Sequence, residues 1–454
     1  MEDKAYIDSL VARSRAAQAV VAEYTQEQVD AICKAIAKVV YDNAEMLAKM
    51  AVEETRMGVY ENKVSKNQGK AKVIWNDMKD GKSVDVIEVD EAAGIIKVAK
   101  PMGVVAAITP TTNPIVTPMC NAMFAIKGRN SIVVCPHPRS KNCSAKTIEL
   151  MNAEIKKLGG PDDLILCVED PTNERSAALM KACDVVVATG GPGVVKAAYS
   201  SGKPSFGVGA GNVQSIIDRD VDIDEHTEML IQSRIFDNGI ICSGEQTAIM
   251  PADKYDEIVA SFVKNGTYYT DKKEEVDALR EAIFPGGVMN KNLVGRPVAE
   301  VAAAAGITIP EGTRMIMVKP PVYGPDDMFS KEKMCPVVSA YAYDTWEEAI
   351  AIAKANLLFE GAGHSVCLHS NNREHIVAAA EALPASRFLV NQVCSTNNGG
   401  SLKNSLSATT TLGCGSWGNN SLSENVSWRH FFNVSRIAWE RPGAVVPSDE
   451  EIWA

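Results

Sequence analysis

The stretch Val185-Val186-Val187-Ala188-Thr189-Gly190-Gly191-Pro192-Gly193 joins an apolar, β-branched run to a glycine-rich turn and a proline suited to a first helical position. It predicts a strand over Val185–Thr189 that leads into a helix. The same succession occurs upstream, with strand-like runs at Val104–Ile108, Ser131–Val134 and Leu164–Cys167 and helices after Pro114, from Ala145 to Lys157 and from Glu174 to Cys183. This alternation predicts an α/β protein with a parallel sheet.

The segments on either side of this series complete the predicted organisation. Residues 4–80 carry apolar side chains at helical spacing, and two strand-like runs at Val84–Asp90 and Ile95–Lys100 flank a turn at Gly94. We interpret the two runs as a β-hairpin that projects as an arm. A second α/β series runs from Thr247–Met250 to Phe388–Asn391. We therefore expect a domain over 1–233, with the arm at about 84–100, a second domain over 234–415 and a C-terminal segment over 416–454.

Composition narrows the class of protein. A chain of 454 residues fits two substantial domains, and a formal charge of -11 without a basic stripe argues against nucleic acid as a partner. Apolar runs such as Gly103–Ile108 are far shorter than the roughly 20 residues that span a bilayer, so no membrane segment is expected. The 11 cysteines form no C-x-x-C pair, which argues against a metal site or a disulfide framework. With the charged start Met1-Glu2-Asp3-Lys4, these scattered thiols predict a cytoplasmic protein.

Cys242 is the candidate nucleophile. It lies in Asn238-Gly239-Ile240-Ile241-Cys242-Ser243-Gly244, where small neighbours give the thiol little steric cover. Such a thiol can add to an aldehyde, and nearby backbone N–H groups can stabilise the resulting oxyanion. The alternative is a buried structural thiol. Asn113, which follows a strand, is either a side-chain donor to that oxyanion or the start of an Asx turn before a helix.

Three further positions have both a functional and a structural interpretation. Thr189-Gly190-Gly191 follows a strand and opens a helix, which suits a pyrophosphate, but it lacks the full G-x-G-x-x-G pattern. His364, in a glycine-rich turn, either reaches a site or only bonds loop carbonyls. Glu332 either accepts a hydrogen bond from a ribose hydroxyl or is a solvated charge. Spacing does not decide between these alternatives.

These motifs occur in one order along the chain, together with Lys100-Pro101-Met102-Gly103-Val104-Val105, Pro110-Thr111-Thr112-Asn113-Pro114, Phe236-Asp237-Asn238-Gly239-Ile240-Ile241-Cys242-Ser243 and Lys331-Glu332-Lys333-Met334-Cys335-Pro336. The whole chain resembles the aldehyde dehydrogenase superfamily, and specifically its CoA-acylating branch. The resemblance implies an α/β fold with a doubly wound cofactor-binding domain, an α/β catalytic domain and a β-hairpin oligomerisation arm that builds a homodimer or homotetramer. It implies NAD or NADP as cofactor and coenzyme A as co-substrate.

The resemblance also implies roles for individual residues. Cys242 is expected to be the nucleophile, Asn113 to share an oxyanion hole with the Cys242 N–H group, and His364 to be a further catalytic candidate. The expected cofactor contacts are Thr109, Pro110, His137, Arg139, Thr189, Gly190, Gly191, Gly209 and Glu332. The expected substrate contacts are Ser243, Ser395 and Thr396. The motifs are most similar to those of members that use succinate semialdehyde; sulfoacetaldehyde and acetaldehyde are alternatives, as is a non-catalytic assembly protein with the same fold.

Two departures from related patterns refine the expected reaction. Hydrolytic members of the superfamily carry a glutamate that activates water, and this chain has Gly207 at that position, which favours an acyl-CoA product over a free acid. The segment Cys394–Ser401 is more polar than in relatives that use succinate semialdehyde, so that an anionic tail is expected to be held by neutral hydrogen bonds and a cation such as Lys403. No acidic residue directly follows the strand that ends near Val134, which leaves NAD and NADP both open. Arg139 and Lys141, which come after it, could pair with a 2′-phosphate or equally with phosphates of CoA.

Overall fold

The computed structural model of this protein describes residues 2–441 and 443–454. Its strands, numbered in chain order, are β1 (Asp85–Asp90), β2 (Ile95–Pro101), β3 (Val104–Thr109), β4 (Ser131–Pro136), β5 (Ile165–Cys167), β6 (Val185–Thr189), β7 (Ser205–Val208), β8 (Gln214–Ile217), β9 (Thr247–Pro251), β10 (Thr267–Thr270), β11 (Met315–Val318), β12 (Val337–Tyr343), β13 (Gly363–His369), β14 (Ala385–Val390) and β15 (Phe432–Ala438). They form two parallel sheets and one small antiparallel sheet.

The helices are α1 (Glu2–Val21), α2 (Gln26–Asp42), α3 (Ala44–Thr55), α4 (Tyr60–Met78), α5 (Val116–Lys127), α6 (Lys141–Lys157), α7 (Asn173–Ala182), α8 (Pro192–Tyr199), α9 (Ile223–Ile235), α10 (Tyr255–Lys264), α11 (Lys273–Ile283), α12 (Val298–Ala304), α13 (Trp346–Phe359), α14 (Arg373–Ala382), α15 (Cys394–Asn397) and α16 (Asp449–Trp453). Within the described residues, none of these helices has the length and apolar character needed to cross a membrane.

The first sheet has five parallel strands in the order β5-β4-β3-β6-β7. The chain leaves β3 towards β4 on one side and later returns to β6 on the other side, which makes the sheet doubly wound. Val105 and Ala107 face a core shared with α2, α4, α5 and α6, whereas Val104 and Ala106 face a core shared with α1 and α7. Because alternate strand residues point to opposite faces, a continuous apolar run covers both faces of this buried strand. The predicted α/β class is confirmed.

The second sheet has seven parallel strands in the order β10-β11-β12-β9-β8-β13-β14. It includes β8, and Leu230 and Ile231 of α9 pack with Met250 of β9 in one of its cores. Strand β8 and these two residues of α9 precede residue 233, at which the sequence analysis predicted the domain boundary. The chain passes from the first sheet to the second between β7 and β8, because β8 finds its hydrogen-bonding partners in β9 and β13.

The C-terminal part returns to the first sheet earlier than predicted. Ala408, which precedes the predicted boundary at 415, is buried in the core beside α5 together with Val426, Trp428 and Phe431. The hairpin of β1 and β2 is antiparallel, as predicted for residues 84–100. A strand that the sequence analysis did not predict, β15, pairs with β2 and makes the arm three-stranded.

Helix α6 begins at Lys141, earlier than the predicted Ala145. The carboxylate of Glu54 accepts the backbone N–H groups of Asn142 at 2.8 Å and Cys143 at 2.7 Å. Free N–H groups in a first turn need such acceptors. The cap comes from a residue that is distant in the sequence, so local pattern does not reveal it.

Candidate functional site

A cavity of about 350 Å³ lies between α4, the Cys242 loop and the segment from Ser395 to Leu412. Cys242, Asn113, Ser243, Ser395 and Thr396 all line it. The cavity thus brings together two of the three predicted catalytic residues and the three predicted substrate contacts. The segment from Ser395 to Leu412 supplies much of the wall.

The Cys242 loop leaves α9 through an unusual turn. Asp237 and Asn238 have left-handed φ angles of 54° and 55°, and Gly239 follows with φ 72°. A Cβ at Gly239 would meet the carbonyl carbon of Cys335 at 2.7 Å, so glycine is needed there for packing as well as for its φ. This turn reverses the chain and directs Ile241, Cys242 and Ser243 towards the cavity.

The fully buried guanidinium of Arg234 holds the Cys242 loop in place through hydrogen bonds. Its Nε donates to the carbonyl of Cys335 at 3.1 Å, and its other nitrogens donate to the carbonyls of Gly239 at 3.1 Å and Glu245 at 3.3 Å. The fixed fork of an arginine is suited to several acceptors at once. One side chain therefore ties both ends of the Cys242 loop to the segment that carries Glu332.

Asp237 ties the same loop to α4. Its carboxylate accepts from the ammonium groups of Lys63 at 3.0 Å and Lys66 at 2.6 Å and from the backbone N–H of Val59 at 2.9 Å. Burial opposes ionisation of this carboxyl, but Lys66 and Lys63 outweigh that effect, so that the pKa of Asp237 lies below its usual value. The ion pairs are almost completely buried.

The electrostatic surroundings of Cys242 keep its thiol protonated in the protein without ligands. Burial, followed by the nearby Glu332 and Cys414, raises the pKa of Cys242 to about 12, and Arg387 opposes this effect. Burial and the neighbouring Glu360 raise the pKa of Glu332 itself to about 8. A Cβ at Gly211 would lie 1.9 Å from the Cys242 carbonyl oxygen, so the glycine lets the two backbones meet. The charge of Glu332 influences the Cys242 thiol, and the roles predicted for the two residues stay predictions.

The predicted cofactor contacts lie at the carboxyl edge of the first sheet. Thr109 ends β3, Thr189 ends the neighbouring β6, and His137 follows β4 on the other side of β3. Pro110, Arg139, Gly190, Gly191 and Gly209 directly follow strands at this edge or lie within a few residues of their ends. A doubly wound sheet binds ligands where the strand order reverses, here between β3 and β6. The sheet therefore gathers residues that the sequence separates by a hundred positions.

This edge fits a phosphate-bearing dinucleotide. A Cβ at Gly191 or Gly193 would meet no atom within 4 Å, so the start of α8 has room for a ligand. The buried Thr109 Oγ1 has no hydrogen-bond partner within the described residues. The cofactor roles of these residues remain predictions. Lys141 is one of the two cations that could bind a 2′-phosphate, and it is already paired with Asp170 at 2.7 Å.

His364 lies apart from the cavity wall. It is fully buried at the start of β13, and neither ring nitrogen has a hydrogen-bond partner within the described chain. Burial, followed by the charge of Arg387, lowers the pKa of His364 to about 3. The ring is therefore neutral at physiological pH, and its catalytic role stays a prediction.

The structure adds residues that the sequence analysis missed. Lys66 and Lys70 of α4 line the cavity, as do Thr409, Thr410 and Leu412. Helical periodicity predicted α4 but gave no signal of what its lysines face. In the sequence, Arg234 has the pattern of an ordinary charged residue near a helix end. Only its burial in the folded chain shows that it organises the Cys242 loop.

A buried group of potential metal ligands lies near the site, although the sequence predicted none. Atoms of Glu245, Cys367 and His369 lie within 4.8 Å of one another. All three residues already have protein partners, since Glu245 accepts from the N–H of Cys394 at 3.3 Å, His369 Nδ1 lies 2.8 Å from Nδ1 of His226, and Cys367 Sγ donates to the Gln392 carbonyl at 3.6 Å. The group is adequately described as a buried hydrogen-bonded cluster.

The chain belongs to the aldehyde dehydrogenase family, whose model matches residues 1–405. It is 52% identical over 453 residues to succinate-semialdehyde dehydrogenase (acetylating) of Clostridium kluyveri, with 100% of both chains covered. It is 40% identical to sulfoacetaldehyde dehydrogenase (acylating) of Bilophila wadsworthia, with 97% of this chain and 96% of that chain covered. An acetylating aldehyde dehydrogenase from Geobacillus thermoglucosidasius has the same fold, with a TM-score of 0.94, 36% identity and 99% of each chain covered. The predicted family and fold are confirmed.

Replacing Asp237 with asparagine tests the buried ion pairs. Lys63 and Lys66 would then lack a countercharge, and we expect the free energy of unfolding at pH 7 to fall by about 3–5 kcal/mol, measured by urea denaturation. This contribution is present above the unfolded pKa of about 3.9 and is lost as the pH falls through the lower folded pKa. The control is Asp42→Asn, which removes an exposed pair with Lys38 and is expected to cost about 1 kcal/mol or less. Equal losses in the two variants would show that the buried pairs stabilise the fold no more than an exposed pair does.

The raised pKa of Cys242 predicts its reactivity with iodoacetamide. Only the thiolate reacts, so the rate at Cys242, followed by mass spectrometry of its peptide, should still rise beyond pH 9, whereas a free thiol levels off near its pKa of about 8.5. Glu332→Gln should increase the rate only above about pH 8, where the wild-type carboxyl becomes charged. A plateau below pH 8.5 in the wild-type protein would show that burial does not control this thiol.

Proposed function

We propose that this protein is a CoA-acylating aldehyde dehydrogenase that interconverts an aldehyde, CoA and NAD(P)⁺ with an acyl-CoA and NAD(P)H. The observation that carries the proposal is a cavity that contains the thiol of Cys242 and the amide of Asn113 but no acidic residue or histidine among its described lining residues. Cys242 in such a site can form a thioester with an acyl group. The described residues that line the cavity include no carboxylate or imidazole that could activate water.

The chain's own residues account for the steps before CoA arrives. The thiol of Cys242 first loses its proton to solvent, and the thiolate sulfur then adds to the aldehyde carbon; the oxyanion that forms is stabilised by Asn113 and the backbone N–H of Cys242. A bound nicotinamide would supply the acceptor for the hydride that this carbon loses as the acyl thioester forms on Cys242. The CoA thiolate then attacks the thioester carbonyl, forms acyl-CoA and releases the Cys242 thiolate. Glu332 is proposed to contact the nicotinamide ribose.

Gly207 supports a thiol rather than water as the acyl acceptor. A Cβ at this position would lie 2.9 Å from both Tyr199 Cε2 and Val195 Cγ1. The position that carries a water-activating glutamate in hydrolytic members therefore has neither the carboxylate nor the space for one. The thioester can then persist until a stronger nucleophile than water reaches it.

We propose succinate semialdehyde as the aldehyde. The 52% identity to a protein named as a succinate-semialdehyde dehydrogenase and the polar wall from Ser395 to Ser401 support this choice. Sulfoacetaldehyde is the second candidate, since the Bilophila relative is named for it. Either NAD or NADP fits the cofactor edge, because Arg139 is exposed there and no acidic residue directly follows β4.

The proposal is tested by NAD(P)H formation with succinate semialdehyde, sulfoacetaldehyde and acetaldehyde, each with and without CoA. We expect sustained turnover only with CoA and the highest kcat/KM with succinate semialdehyde. Cys242→Ala should abolish turnover and leave the Tm and oligomer mass unchanged, which separates an enzyme from an assembly protein. Sustained turnover without CoA would contradict the inference from Gly207.

We further propose that the arm joins two copies of this chain, in a homodimer or a homotetramer. The three-stranded sheet exposes large apolar side chains, among them Val89 at 53% and Trp439 at 56% exposure. Apolar patches of this kind on a projecting sheet mark interaction sites. The resemblance to the family, in which an arm builds dimers, supports a second copy as the occupant.

Charged substitutions on the arm test this assembly. The double variant Val89→Glu, Trp439→Glu should lower the mass measured by light scattering after gel filtration, because buried unpaired carboxylates oppose association. The control Val263→Glu changes a side chain that is 50% exposed on α10, away from the arm, and should keep the wild-type mass. A wild-type monomer, or an unchanged mass in the double variant, would exclude the arm as the interface.

We also propose a cytoplasmic location. All 11 cysteines are free thiols. Disulfides are rare in the reducing cytosol, and the free state of so many thiols supports that compartment.

A further inference from the structure

Lys70, a half-buried residue of α4, has no carboxylate partner. Its ammonium lines the same cavity as Cys242 and Asn113 and donates to two backbone carbonyls, of Gly399 at 2.9 Å and Thr409 at 3.2 Å. Lys63 and Lys66 of the same helix are instead both paired with Asp237. Across residues 2–441 and 443–454, no Asp or Glu lies within ion-pair distance of Lys70. The cavity therefore holds a cation without a countercharge.

The structure around Lys70 is specifically shaped for this ammonium. A Cβ at Gly399 would lie 2.6 Å from both Lys70 Nζ and the Thr409 carbonyl oxygen, so only glycine allows the three groups to meet. On the other side, a Cβ at Gly69 would meet no atom within 4 Å, and Gly69 also lines the cavity. The cation is thus held by carbonyls while space beside it stays open to a ligand.

Physical chemistry favours an anion in this space. Burial lowers the pKa of Lys70 to about 8, which shows that its charge is poorly solvated. Two carbonyls satisfy its hydrogen bonds in part but bring no negative charge. A carboxylate would add a charge-assisted hydrogen bond in a site of low dielectric constant, where such bonds are strongest. Lys403, which the sequence suggested as the cation for an anionic tail, is exposed to solvent and is therefore expected to bind an anion more weakly.

We propose that Lys70 is the anion-binding residue of the aldehyde subsite, where it holds the carboxylate or sulfonate tail of the substrate while the aldehyde carbon lies at Cys242. This inference rests on the proposed function and names the side chain that selects among its substrates. Ser395 and Thr396 then contribute neutral hydrogen bonds beside a charged anchor. The cavity favours anionic aldehydes over neutral aldehydes of similar length.

The test compares Lys70→Met with a matched control, Lys79→Met, which changes an exposed lysine at the C-terminal end of the same helix and outside the cavity. Each protein is assayed with CoA on succinate semialdehyde, sulfoacetaldehyde and the neutral butanal. We expect Lys70→Met to lower kcat/KM for both anionic aldehydes by about 30-fold or more and to change that for butanal by less than about threefold. Lys79→Met should match the wild-type protein throughout. An equal loss on all three aldehydes, or none, would overturn the proposal.

A binding measurement separates this proposal from the proposed function. Succinate, which presents the same carboxylate without an aldehyde, should raise the Tm of the wild-type protein and of Lys79→Met but not that of Lys70→Met. If no aldehyde gave CoA-dependent turnover, the proposed function would fail, and the succinate shifts would still decide the role of Lys70. A similar rise in Tm in all three proteins, or none in the wild-type protein, would exclude Lys70 as an anion site.

Discussion

The buried guanidinium of Arg234 is the interaction on which the candidate site depends. It bonds the carbonyls of Gly239 and Glu245, at the two ends of the Cys242 loop, and that of Cys335, which follows Glu332. A buried cation is tolerated only where it is well hydrogen-bonded, so these carbonyls have little freedom to move. The position of the thiol relative to Glu332 therefore follows from one side chain at the end of α9.

A segment of four residues links the cavity to the carboxyl edge of the first sheet. Thr409, Thr410 and Leu412 line the cavity that holds the thiol of Cys242. The hydroxyl of Thr411, in the same segment, lies 3.1 Å from that of Thr189 at the end of β6. One short piece of chain therefore forms part of the cavity wall and also contacts the edge at which the sequence predicts the cofactor.

The sequence predicted what local pattern determines. Alternating apolar strands and helices indicated a parallel α/β sheet, the turn at Gly94 indicated the hairpin, and the small residues around Cys242 indicated an accessible thiol, which lines the cavity. The sequence failed where long-range packing decides. The run at β8 has the pattern of any buried strand, and only its pairing with β9 and β13 places it in the second sheet. Likewise, Lys70 lies in a polar stretch of α4 and meets Gly399 and Thr409 only in the folded chain.

The packing around Gly207, and not the absence of a glutamate alone, favours a thiol over water as the acyl acceptor. The hydroxyl of Tyr199 accepts the N–H groups of both Gly207 and Ser421, each at 3.0 Å, so the ring is held in place beside Gly207. A side chain at position 207 would have to displace this ring and break its bond to the buried Gly207 N–H. Because a buried N–H group without a partner is costly, the packing around Tyr199 disfavours a glutamate at this position. The same tyrosine also joins the C-terminal return to the first sheet, through its bond to the N–H of Ser421.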